Sequence, residues 1–171
     1  MLTGLLSSAF DGFGGRTEPL GRVPVHAITL TEVEHAESRI GRPLPGLLRR
    51  LYTEVGNGGF GPESGLASLT DGNRTPFHPV DWPSAVRTHE RQRLQGLPAS
   101  WLHLTSGGCS MEWYVSLLAV GNPVLLHDAG GWDPTWGRRP HDGLRHASHS
   151  LRRWLWTWAN RGNVWDDVLS R

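Results

Sequence analysis

Residues 30–61 read LTEVEHAESRIGRPLPGLLRRLYTEVGNGGFG. Thr31-Glu32-Val33-Glu34 fits a capping box, in which the Thr31 hydroxyl accepts an orphan helix N–H and Glu34 reaches back to the cap. Val33, Ala36 and Ile40 follow at helical spacing, and Gly41 stops the helix. Glu32, Glu34 and Glu37 on the outer face place negative charge near the N-terminus, where the helix dipole favours it. After the joint Arg42-Pro43-Leu44-Pro45 a second helix opens, with Pro45 in a first turn where its missing N–H costs nothing. Leu47, Leu48, Leu51, Tyr52 and Val55 form its apolar stripe, opposite Arg49, Arg50 and Glu54. Gly56-Asn57-Gly58-Gly59 ends it. Four residues that tolerate positive φ describe a C-cap running into a tight backbone turn.

Downstream, Gly61–Thr75 reads as a loop with one short strand, Leu66–Leu69. Asp81-Trp82-Pro83 opens a weakly amphipathic helix over Pro83–Gln95, with Arg87, Arg91 and Arg93 outward. Trp101–Thr105 is a strand, Ser106–Cys109 a turn and Glu112–Ala119 a second strand. In that strand Trp113, Val115 and Leu117 alternate with Tyr114, Ser116 and Leu118. Gly121-Asn122 is a further turn, and Pro123–His127 a third strand. Residues 128–147 read as a long loop carrying Trp132 and Trp136. Ser148 or Ser150 then caps a helix with Leu151, Trp154, Leu155 and Trp158 on one face, ended by Gly162. The expectation is an α+β domain over 27–162, an antiparallel meander sheet flanked by helices. Residues 1–26 are read as an extension and 163–171 as a loose tail.

A chain of 171 residues with 37% hydrophobic residues suits one such domain. No run of about 18 apolar residues occurs, so no membrane partner is expected, and the start is a poor signal peptide. The sequence therefore reads as cytoplasmic. All 17 basic residues are Arg, and the formal net charge is +1. A G+C-rich coding sequence accounts for that bias, and a balanced charge offers no global field to a polyanion. The nine Trp carry more weight, because rigid aromatics supply both core volume and interface anchors. Trp101, Trp113, Trp154 and Trp158 fall at core-facing positions. Trp132, Trp136 and Trp156 do not.

His127, Asp128, Asp133, His141, Asp142, His146 and His149 gather in 127–149 and could serve a hydrolase or bind zinc. No HExxH pattern orders them, so polar loop residues are the reading preferred, with neither metal nor cofactor. Cys109 reads as a small buried filler instead of a nucleophile. GNGGFG at 56–61 follows a helix and lacks a Lys-Ser/Thr pair, so it is not a phosphate loop. Between Gly137 and Arg161 six Arg (138, 139, 145, 152, 153 and 161) accompany Trp154, Trp156 and Trp158. That combination could hold single-stranded nucleic acid, or simply form a solvated face over a Trp-filled core.

The block Glu34, Ile40-Gly41, Leu44-Pro45 and Asn57-Gly58-Gly59 resembles the SUKH superfamily of Smi/Knr-type domains. Trp101–Leu104 with Gly108-Cys109, Pro123-Val124 with Asp128, and Ser150–Trp158 follow in the family's order, so the resemblance spans about 27–162. It implies an α+β protein-binding module without catalytic residues. Bacterial members resemble immunity proteins that neutralise polymorphic toxins by stoichiometric binding; fungal members resemble regulatory scaffolds. The expected partner is thus a protein, a toxin domain, met by Trp132, Asp133 and Trp136 of the long loop beside Glu112 and Asp128 of the sheet. Leu44, Pro45, Asn57, Gly58 and Gly59 are read as structural.

Overall fold

The first helix starts one residue before the Thr31 capping box, and the cause is local. In the computed structural model, which describes residues 26–63, 65–71, 83–128 and 143–169, Thr29 is the extended cap and helix α1 spans Leu30–Ile40. Thr29 Oγ1 accepts the Glu32 N–H at 3.2 Å, and Glu32 Oε2 accepts the Thr29 N–H at 2.8 Å. Thr31 offers the same T-x-x-E spacing, but capping at Thr29 puts Ile28 just outside the helix and Val33 at its fourth position. Both then pack into the core as a hydrophobic staple. Gly41 ends α1 in the left-handed region at φ 77°.

Helix α2 spans Gly46–Glu54, and Pro45 is its cap residue, one position earlier than expected. Glu37 is not a free outer-face acid, since its Oε1 accepts the Leu44 N–H at 2.7 Å and stiffens the joint between the helices. Helix α3 spans Ala85–Leu94, capped by Ser84, with Arg87, Arg91 and Arg93 outward as their spacing predicts. Arg39 of α1 forks onto Glu90 of α3 at 2.9 and 2.8 Å.

Four strands follow: β1 Trp101–Gly108, β2 Met111–Ser116, β3 Val124–Asp128 and β4 Leu144–Ser148. They pair antiparallel in the order β1-β2-β3-β4, so the α+β meander holds. Several sequence readings are corrected. The fourth strand occupies the end of what reads as a loop over 128–147. The turn between β1 and β2 is Cys109-Ser110, both at positive φ, and Cys109 is exposed, not buried. Residues 66–69 are not a strand: only the Ala67 N–H reaches β1, on Leu104 O at 2.7 Å, while the Leu69 N–H goes to the Asn57 side chain.

Helix α4 spans Leu151–Ala159, capped by Ser150, and buries Leu151, Trp154 and Leu155. Trp158 is only half-buried, as is Trp101. A short helix α5, Asp166–Leu169, replaces the loose tail. Val164, Trp165 and Val168 pack on the core, and Trp165 meets Trp113 edge-on at 4.9 Å. Trp113 is fully buried, its ring also 5.3 Å from that of Trp154. The proposed extension, residues 1–25 in particular, lies outside the described residues.

Candidate functional site

Strand alternation divides the sheet into two unlike faces. Trp113, Val115, Val124 and Leu126 join the helices in the apolar core. The opposite face carries Trp101, His103, Glu112, Tyr114 and His127, brought side by side by the pairings His103↔Tyr114 and Glu112↔His127. His103 Nε2 lies 2.5 Å from Glu112 Oε2. The Tyr114 hydroxyl accepts from Gln92 Nε2 of α3, and its ring meets His103, Trp101 and His127 at centroid distances of 5.7, 5.9 and 6.2 Å. Burial raises the Tyr114 pKa above the ordinary phenol value, so the hydroxyl stays protonated at neutral pH. His103 Nδ1 is buried with no hydrogen-bond partner among the described residues. The His103–Glu112 and Gln92–Tyr114 bonds and the ring contacts among Trp101, His103, Tyr114 and His127 link three strands and α3 on the sheet's second face.

Glu112 and Asp128 do not form one acidic surface. Asp128 pairs with Met111 and Glu112 with His127, so the two carboxylates are neighbours in register on opposite faces. Glu112 is engaged by His103, while Asp128 accepts the Ser110 hydroxyl at 3.1 Å beside the β1–β2 turn. Trp132, Asp133 and Trp136 lie outside the described residues, as do His141 and Asp142. His146 of β4 and His149 just after it hold their rings 4.8 Å apart, tilted by 50°. Among the described residues no three His, Cys, Asp or Glu converge as metal ligands.

The Asn57–Gly59 turn is a clamp. Asn57, buried, accepts the Leu69 N–H at 2.7 Å and donates to Thr70 Oγ1 at 2.8 Å. A Cβ on Gly58 would stand 2.6 Å from Leu66 O, so only glycine fits where the two segments touch. Leu44 is buried where the joint meets the core, next to the cap residue Pro45.

Exposed apolar side chains occur elsewhere. Between β2 and β3, Leu118 is 63% and Val120 99% exposed, and Trp156 on α4 is 55% exposed. The Trp156 position agrees with its place off the apolar stripe. Leu118 and Val120 were missed because Leu118 reads as strand, although the run Leu117-Leu118-Ala119-Val120 directly before a Gly-Asn turn was the available signal. No helix among the described residues is long and apolar enough to cross a membrane. Comparison of the chain with protein-family models, curated proteins and solved structures returned no match.

Proposed function

We propose that the chain is a non-catalytic protein-binding module of SUKH type, and that it acts in the cytoplasm as an immunity protein, holding a bacterial toxin domain in a stoichiometric complex. The observation that carries this reading is the exposure of Leu118, Val120 and Trp156, three of five large apolar side chains that stand in solvent among the described residues, on a hairpin and the helix it is bonded to. A few such anchors supply most of the binding energy in protein interfaces. On the sheet's second face His103 is engaged by Glu112 and Tyr114 by Gln92, so both side chains serve to brace the sheet. The resemblance in residues 30–61 supports the same reading.

The test is co-expression with the C-terminal domain of a large secreted toxin encoded beside this gene. The chain should restore growth and co-elute with that domain at equal stoichiometry. Growth arrest that persists despite expression of folded protein overturns the proposal.

A further inference from the structure

Val120 projects from a connection that is held in place. The Leu117 N–H donates to Ser100 O at 2.7 Å, and the Ala119 N–H to Ser116 Oγ at 3.3 Å. Asn122, in the left-handed region at φ 51°, donates from its side chain to Ser116 O at 2.9 Å. Its own carbonyl accepts the Leu151 N–H at 2.8 Å, which fastens the hairpin tip to the first turn of α4. A turn needs only polar residues to be stable in water. This one presents Leu118, Ala119 and Val120 outward on a braced frame, so little ordering cost would attend their burial.

The same end of α4 carries the exposed Arg152 and, one turn on, Trp156. Helical side chains lean toward the N-terminus, so Trp156 leans over the turn that bears Arg152, toward the helix end to which the hairpin is bonded. Arg152 makes no ion pair among the described residues. Neither 117–123 nor 144–163 contains an acidic residue. The surface is therefore apolar at its tip, aromatic beside it, and positively charged.

We infer that Leu118, Val120, Arg152 and Trp156 form one docking surface, and that its occupant is a folded protein surface with an apolar cleft rimmed by carboxylates. This rests on the protein-binding reading and adds the chemistry of the partner's face. Single-stranded nucleic acid would use Arg152 and Trp156 but leave the apolar tip in water. A carboxylate-rimmed cleft uses all four residues, with the arginine steering encounter and the apolar side chains setting lifetime.

The experiment titrates the full chain against the adjacently encoded toxin domain, with circular dichroism confirming that each surface variant is folded. Trp156→Ala should weaken affinity about 30-fold, the scale of a hot-spot residue, and Val120→Ser about tenfold, the scale of one buried valine side chain. Arg152→Glu should slow association about tenfold at low salt, an effect that shrinks as salt rises. Leu94→Ser, an exposed leucine on α3, should change nothing. If the wild-type chain binds and the first three variants stay within about threefold of it, the docking surface is wrong while the protein-binding reading stands. If the wild-type chain does not bind the domain, both fall. Preferential binding to a thymidine 20-mer or to phosphatidylserine vesicles, lost in the same variants, overturns the protein occupant.

Discussion

Gly58 and His89 show how single positions constrain this chain. At Gly58 (φ 88°) a Cβ would press on the backbone of Leu66–Ser68, whereas at Gly96, also φ 88°, it would meet nothing within 4 Å. Gly58→Ala should therefore cost about 3 kcal/mol and Gly96→Ala about 1 kcal/mol, the difference being the clash alone. Urea midpoints of the two variants check this. His89 is 1% exposed, and burial lowers its pKa, against the smaller effect of the hydrogen bond from Nε2 to the Ala99 carbonyl. The unfolded chain then takes up this proton first as pH falls below about 6.5. Stability contributed by His89 is full above that pH and declines below it, by at most about 1.4 kcal/mol per pH unit. Unfolding titrations between pH 7.5 and 5 should be steeper for the wild type than for His89→Gln.

At the scale of elements, the start of α1 separates two capping threonines with the same sequence signature. Thr29→Ala removes a bond to the Glu32 N–H and should cost about 1 kcal/mol, while Thr31→Ala should stay within about 0.5 kcal/mol. Equal losses would mean that the helix end frays between the two caps. The Arg39–Glu90 fork ties α1 to α3, each partner favouring the charged form of the other. Both side chains are partly exposed, so this link adds no more than about 1 kcal/mol and serves mainly to fix the helix crossing. The meander is set by different means: Cys109-Ser110 turns the first hairpin at positive φ, and Asn122 closes the second.

Across the whole molecule, the C-terminal segment completes the core. Trp165 donates its indole N–H to Glu63 Oε1 at 2.6 Å and meets Trp113 edge-on, close enough to Gly107 that a Cβ there would sit 3.2 Å away. Trp165→Ala should destabilise the protein by about 2–3 kcal/mol, and a chain ending at Gly162 should lose at least as much, both read from unfolding midpoints and the near-ultraviolet signal of Trp113. The sequence by itself determined the helices of residues 30–54, the three strands through His127, the Trp154 stripe and the exposure of Trp156, because periodicity, caps and turn residues are local properties. It did not determine β4, whose Leu-Arg-His-Ala-Ser run is too short and too polar to read alone. Nor did it determine the docked Trp165, which needs a partner 52 positions away in Trp113. Only the tertiary structure decided that Glu112 and Asp128 stand on opposite faces and that the hairpin bearing Leu118 and Val120 is fastened to the first turn of α4. Register and fastening arise from hydrogen bonds between distant segments, and no local pattern encodes them.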